Sequence, residues 1–232
     1  MFKADPDFAM GHIYILGLER FATNPEKNDE PRKKLIDFSK RKTQIQLTNL
    51  EKKHLEAAEL LAMEDNIGAM LQFENILEWY PQDMHALHMA FHLALATGQT
   101  KRLLDSPASV VKHYTYGSPF YGNIHGKICF GQAENGQFEA SENSGRLALD
   151  HFPLDIWSHH SLADGSLFLG MTESNWTQGK FYAHHIWWHQ ALFYIQMGEY
   201  ESALTLYDDI IGPMTLNFRK FKQTVQKVSA FH

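Results

Sequence analysis

One pattern, which occurs three times along this 232-residue chain, constrains the fold more than any other feature of the sequence. Each copy begins at a turn residue, continues as a segment with periodic apolar residues and ends at a proline 15 to 17 positions later. The copies are residues 65–81, 136–153 and 198–213. Apolar residues within them recur three and four apart, as in a helix with one buried face. Because one helical hairpin cannot bury its own apolar face, the pattern predicts a stack of hairpins.

The spacing of the first two copies indicates the type of repeat. Pro81 and Pro153 are 72 residues apart, which is close to two tetratricopeptide periods of about 34 residues. Asp83 and Asp155 follow these prolines at the same offset and are predicted N-caps, because a carboxylate accepts hydrogen bonds from the first helical turn. Further apolar helices are predicted at residues 84–96, 121–133 and 182–197. We therefore predict an all-α fold, an α-solenoid of tetratricopeptide-like helical hairpins.

The remaining segments divide the chain into a repeat region and a tail. Helices are also predicted at residues 7–21, 30–45 and 48–63, and Thr48 and Glu51 form the capping-box pattern that opens the last of them. Two stretches, at residues 100–119 and 165–179, are less regular. The first is predicted to be a long connection with a helical turn. The predicted repeat region spans residues 1–213, and a basic tail at 214–232 matches no repeat.

Composition and motifs exclude several classes of protein. The net charge of −6 argues against a binder of nucleic acid or of an anionic membrane, since both need a positive field. The single cysteine, Cys129, excludes an internal disulfide framework and a Cys-rich zinc site. The N-terminal ten residues lack the apolar stretch of a secretory signal, and no apolar run reaches the ~18 residues of a membrane span. We therefore expect a cytoplasmic protein. The sequence contains no nucleophile elbow, phosphate-binding loop or His-Glu-x-x-His motif that would indicate an enzyme.

Several short motifs are characteristic of one family. The most specific is His-Ile-Trp-Trp-His-Gln-Ala-Leu at residues 185–192, which is followed by Gly-Glu-Tyr-Glu-Ser-Ala-Leu at 198–204. Others are the segments at residues 5–12, 129–131 and 155–157. With these motifs, residues 3–213 resemble the tetratricopeptide repeat protein 38 family. The resemblance implies a helical-repeat fold and no established activity. Compared with the family, the chain has aspartate instead of histidine at position 164 and looks shortened near residues 165–176.

Two pairs of possible metal ligands stand out among the 14 histidines. His185 and His189 are four residues apart on one helical face, and His160 and Asp164 have the same spacing. If the two helices pack side by side, four ligands could converge on a zinc ion. The alternative favoured by the residues is that these histidines are buried and form hydrogen bonds between hairpins, since a buried polar group needs a partner. No cofactor is therefore expected, with zinc as the alternative.

A second group of candidates is a possible binding surface. His85, His88 and His92 follow the i, i+3, i+7 pattern and form a stripe on one predicted helix. Trp187 and Trp188 could add an aromatic surface, although tryptophans at helical spacing usually belong to the core.

Three interpretations of the function of this chain follow from these candidates. The first is a scaffold or adaptor that binds a protein or peptide partner on the concave face of the solenoid, with no catalytic residues. The second is a metal-binding protein or metal-dependent hydrolase that uses the His/Asp cluster. The third is a truncated product without independent function. The sequence does not define an oligomeric state.

Overall fold

The computed structural model describes residues 8–22, 28–40, 46–162 and 180–213, and for residues 180–185 and 196 it describes the backbone alone. Every regular element in the described residues is helical, so the predicted all-α helical-repeat fold is confirmed. None of the described helices combines the length and the apolarity needed to cross a bilayer. The chain forms two compact units that divide between Ser118 and Pro119. The predicted tail at 214–232 and the weak stretch at 165–179 lie outside the described residues.

The first unit consists of consecutive helical hairpins. Its helices are α1 (Ala9–Ala22), α2 (Glu30–Lys40), α3 (Asn49–Ala62), α4 (Asn66–Trp79), α5 (Met84–Ala96) and α6 (Thr100–Val110), followed by a 3₁₀ turn at Val111–His113. Each helix packs against the next one along the chain, and α1 also packs against α3. Ile13, Leu35 and Leu55, from α1, α2 and α3, are almost fully buried against one another in one apolar cluster. The sequential packing is the arrangement that the repeated hairpin pattern predicts.

The predicted helix starts are confirmed by their capping hydrogen bonds. Thr48 Oγ1 accepts a hydrogen bond from the Glu51 N–H at 3.3 Å, and the Glu51 carboxylate accepts one from the Thr48 N–H at 2.8 Å. Asp65 accepts from the N–H of Gly68 at the start of α4. These side chains satisfy backbone donors that have no partner within the helix.

The expected long connection over residues 100–119 is wrong in its first half. Residues 100–110 form helix α6 despite the proline at position 107. Gly98 has a φ of +69°, and the Gln99 N–H donates to the Ala94 carbonyl at 2.8 Å, so the turn between α5 and α6 is a tight hairpin turn. Leu103 and Val110 are buried, and burial of this face outweighs the one backbone hydrogen bond that the proline removes.

The second unit repeats this organisation. Its helices are α7 (Tyr121–Glu134), α8 (Phe138–His151), α9 (Ile156–Leu162), α10 (Lys180–Gln196) and α11 (Tyr200–Leu206), followed by a π-helical turn at Tyr207–Ile211. Helices α7, α8 and α9 pack against one another, and α10 packs against α9 and α11.

The internal repeat is a block of three helices with a strict register. Helices α7, α8 and α9 each begin 72 residues after α3, α4 and α5. The turn before the third helix has the same hydrogen bonds in both copies. The Tyr80 N–H donates to the Ile76 carbonyl, and the Phe152 N–H donates to the Ala148 carbonyl, both at 2.8 Å. The 72-residue spacing of the prolines therefore spans four helices, α3 to α6, and the first three of these recur in register as α7, α8 and α9.

A residue with positive φ closes each of the hairpins that the sequence pattern marks. Glu64, Gly136 and Gly198 have φ values of 64°, 74° and 78°. The residue that follows each of them donates its N–H to the carbonyl of the residue five positions before itself, as in a Schellman turn. Glycine adopts this conformation without strain, whereas Glu64 does so at an energetic cost.

Candidate functional site

A buried histidine–aspartate pair links two helices of the first unit. His54 Nε2 on α3 lies 2.7 Å from Asp83 Oδ2, at the start of α5. The His54 side chain is fully buried, and the Asp83 side chain is 7 % exposed. Because an ionised carboxylate only accepts hydrogen bonds, Nε2 carries a proton and donates a hydrogen bond to Asp83. Nδ1 of His54 is buried and has no hydrogen-bond partner in the described part of the chain.

Asp83 is fixed in place by a second hydrogen bond. Its Oδ1 accepts from the Ala86 N–H at 2.9 Å, so the predicted N-cap is confirmed. Burial alone would raise the pKa of Asp83, but the hydrogen bonds from His54 and Ala86 outweigh burial and hold this pKa below its usual value. Asp83 is therefore a fixed negative charge at neutral pH.

Two aromatic rings complete the cluster around this pair. The ring of His85 stacks on that of Tyr14 from α1, with centroids 3.9 Å apart. Tyr14 meets His54 edge to face at 5.1 Å, and His85 does the same with Phe73 at 5.9 Å. Burial, together with the nearby His54, lowers the pKa of His85 to about 4, although Asp83 opposes this shift. Burial and the Asp83 carboxylate raise the pKa of Tyr14 to about 12.

A cavity of about 680 Å³ opens at this cluster. It is lined by residues from α1, α3, the α4–α5 turn, α5 and the 3₁₀ turn. They are Tyr14, Leu50, Tyr80, Pro81, Gln82, Asp83, Met84, His85 and His113. Gln82 Nε2 donates to the His113 carbonyl at 2.8 Å and ties the α4–α5 turn to the end of α6. The cavity combines a fixed carboxylate with aromatic, thioether and amide groups, which is the mixed lining of a ligand site.

The predicted histidine stripe on α5 divides into two environments. His85 is half-buried in the cluster with Tyr14 and lines the cavity. His88 is exposed, and His92 Nδ1 bonds its carbonyl at 2.8 Å. His92 also contacts Phe21 and Phe91 edge to face. Of the three histidines in the predicted stripe, His85 lines this cavity, and His88 and His92 are not among its lining residues.

The two adjacent tryptophans of α10 have opposite surroundings. Trp187 is 8 % exposed and packs in the core of the second unit with Ile186 and Leu206. Trp188 is 46 % exposed and meets His189 edge to face at 5.2 Å. Trp187 thus contributes to the core, and Trp188 belongs to the surface of the unit.

The predicted metal ligands are described in part. The rings of His160 on α9 and His189 on α10 meet edge to face, with centroids 4.4 Å apart. Asp164 and the side chain of His185 lie outside the described residues. Within the described part of the chain, no group of three or more histidine, cysteine, aspartate or glutamate side chains could hold a metal ion.

The second unit has a different arrangement at the positions equivalent to the His54–Asp83 pair. Asp155 is the counterpart of Asp83, and it accepts from the N–H and Oγ of Ser158 at 2.9 and 2.8 Å, as an N-cap does. Gly126 is the counterpart of His54, and an added Cβ there would lie 1.9 Å from Asp155 Oδ2. The Asp155 carboxylate therefore lies against the backbone of α7 and occupies the space that a side chain at position 126 would need.

A buried lysine neighbours this second carboxylate. Lys127 is 4 % exposed, and its Nζ lies 5.6 Å from the centroid of the Trp157 ring. Burial lowers the pKa of Lys127 to about 8, and Asp155 opposes the shift. Burial raises the pKa of Asp155, although Ser158 and Lys127 oppose this. Trp157 occupies the position equivalent to His85.

Sequence reasoning missed two members of the cavity cluster. His54 lies on an amphipathic helix with ordinary charged neighbours, and Tyr14 lies in an apolar segment far from the repeats. The available signal was Asp83, a predicted cap directly before His85, but a cap does not reveal which distant side chain it also bonds. No family model matches this chain.

Proposed function

We propose that this chain is a cytoplasmic helical-repeat scaffold of the tetratricopeptide repeat protein 38 family that binds a peptide segment of a partner protein. The observation that supports the proposal most is the cavity at the Tyr14–His54–Asp83–His85 cluster. Its volume of about 680 Å³ lies within the usual range of ligand pockets, roughly 300–1,000 Å³. Hairpin stacks commonly present such surfaces to extended partners.

The surroundings of the polar groups favour binding over catalysis. Both oxygens of Asp83 accept hydrogen bonds from the protein, which fixes this carboxylate and fits poorly with a general base that must exchange protons. Cys129 is fully buried, and burial raises the pKa of its thiol to about 11, so it is poorly suited to be a nucleophile.

A selection with displayed peptides tests the proposal. Random dodecapeptides are selected on the full chain, and their dissociation constants are measured on the wild type and on two variants. Leu50→Trp fills the cavity, since Leu50 lines it. Leu71→Trp is the matched control, because Leu71 is 43 % exposed and does not line the cavity.

We expect the selected peptides to bind Leu71→Trp as they bind the wild type and to lose about tenfold or more in affinity for Leu50→Trp, which corresponds to ~1.4 kcal/mol. Equal affinities for the two variants would contradict the assignment of the site. A selection that enriches no binding peptide would contradict peptide binding itself.

The contact between His160 and His189 favours a second candidate function, a zinc-binding protein or metal-dependent hydrolase. Imidazoles from two packed helices are ligands that zinc accepts.

A ligand at about 100 times its dissociation constant adds ~2.7 kcal/mol to the stability of the folded state. Thermal unfolding with zinc and with chelator, on the wild type, on His160→Gln and on His88→Gln as a control, tests this candidate. A zinc-dependent stabilisation that His160→Gln abolishes would support the site, and the same curve with and without zinc would remove it.

A further inference from the structure

The charge in the described lining of the cavity of the first unit comes from one acidic side chain. Asp83 is the acidic residue that lines it, and no lysine or arginine is among the described lining residues. The adjacent histidine, His85, has its pKa lowered to about 4 and stays uncharged at neutral pH. No ammonium or guanidinium in the described lining offsets the charge of Asp83, whose Oδ2 accepts the hydrogen bond from His54.

The walls of the cavity also suit a cation. Tyr14 and Tyr80 bring two aromatic rings to the lining, and a cation close to the face of such a ring is attracted by its quadrupole. Tyr14 keeps its phenolic proton, because its pKa is raised to about 12, and its oxygen can accept a hydrogen bond from a donor. Met84 and Pro81 add apolar surface that can cover the methylene groups of a long side chain.

We infer that the cavity selects a positively charged side chain, arginine or lysine, of the bound peptide, with Asp83 as its counter-charge and Tyr14 and Tyr80 as its aromatic contacts. The inference rests on the proposed function, because it names the chemistry of the peptide that the same cavity would take. A carboxylate with little access to water interacts with a cation more strongly than an exposed one does, since the local dielectric is lower. The Asp83 side chain, at 7 % exposed, meets that condition.

Single-residue probes test the charge without a known partner. The full chain is labelled with ¹³C at histidine Cε1, and the signals of His85 and His113 are followed during titration. The probes are the N-acetyl, N′-methylamide derivatives of arginine, of lysine and of citrulline, which resembles arginine in shape but is neutral. The titrations are repeated on Asp83→Asn and on Asp65→Asn. Asparagine caps helices as well as aspartate does, so each variant removes a charge and keeps its cap.

We expect arginine or lysine to bind the wild type and Asp65→Asn about tenfold more tightly than citrulline, and we expect this preference to disappear in Asp83→Asn. Equal binding of arginine, lysine and citrulline would overturn the inference, and so would a preference that survives Asp83→Asn. If the display selection yields peptides that need the cavity but carry no arginine or lysine, the inference fails while the proposed function stands. If it yields no such peptide, the proposed function fails as well.

Discussion

His54 and Asp83 are 29 residues apart in sequence, yet Nε2 of the one lies 2.7 Å from Oδ2 of the other. The contact joins α3 to the N-cap of α5, and α4 lies between these two helices in the chain. The same carboxylate caps α5 through the Ala86 N–H. One side chain therefore sets both the start of a helix and its packing, and it places its charge at the cavity next to Tyr14 and His85.

The first prediction concerns the stability of this pair. Asp83→Ala removes the cap of α5 and leaves the fully buried His54 without its hydrogen-bond acceptor. We expect a loss of about 3 kcal/mol in the free energy of unfolding, from about 1 kcal/mol for the cap and about 1–3 kcal/mol for the unpaired buried group. Asp65→Ala is the control, because it removes the exposed cap of α4 alone and should cost about 1 kcal/mol. Urea denaturation followed by circular dichroism measures both, and equal losses would contradict the buried pair.

The second prediction concerns the counterpart of His54 in the second unit. In Gly126→Ala the new Cβ would lie 1.9 Å from the Asp155 carboxylate, which Ser158 holds in place. Helix α7 or Asp155 must shift, and we expect a loss of about 3 kcal/mol or more. In Gly136→Ala the new Cβ would meet nothing within 4 Å among the described residues, so the variant suffers from its positive φ, with an expected loss of about 1–2 kcal/mol. Thermal unfolding of both variants checks the order, and a Gly136→Ala variant that is the less stable of the two would refute it.

The third prediction concerns pH. The pKa of His85 is about 4 in the folded chain, below the value of about 6.5 in an unfolded one. Between these values the unfolded chain binds more protons at this position, so the contribution of neutral His85 to stability is complete above about pH 6.5 and is lost as the pH falls towards 4.

Replacing His85 should therefore flatten the dependence of stability on pH in that window. Urea denaturation at a series of pH values compares the wild type with His85→Gln. His125 and His159 also have lowered pKa values and remain in both proteins, so the difference between the two curves isolates His85. Parallel curves from pH 4 to 6.5 would show that His85 does not titrate as the structure requires.

The fourth prediction distinguishes the two tryptophans of α10. Trp187→Ala empties a place in the core beside Leu206 and should cost about 3–5 kcal/mol. Trp188→Ala removes a ring that is 46 % exposed and should cost about 1 kcal/mol or less. Thermal denaturation of the two variants gives this comparison directly, and similar losses would contradict the assignment of Trp187 to the core.

The sequence predicted best those features that depend on neighbouring residues. The capping box at Thr48 and the caps at Asp83 and Asp155 are local signals, and the structure confirms each of them. The 72-residue spacing of the prolines recurs in the starts of the helices. The sequence does not predict helix α6, because the proline at position 107 is unfavourable inside a helix, whereas tertiary burial of the apolar face stabilises it.

The candidate site was harder to predict, because it depends on contacts between distant residues. Nothing near His54 in sequence indicates that it bonds a carboxylate two helices away. Trp187 and Trp188 lie on a helix that is apolar on most sides, so periodicity could not show which of them faces the core. For His85, the stripe on α5 was a useful signal, but it did not reveal that Tyr14 stacks on this ring while His88 stays exposed.

Photo-cross-linking shows directly whether a peptide binds in the cavity of the first unit. Benzoylphenylalanine replaces Met84, which lines the cavity, or Leu71, which is exposed on α4 outside it. Each protein is irradiated with a peptide from the display selection, and the adducts are located by mass spectrometry. We predict a strong adduct from position 84 that an excess of a second selected peptide abolishes. From position 71 we predict no adduct above background. An adduct at position 71 that the competing peptide abolishes, together with no adduct at position 84, would contradict peptide binding in this cavity.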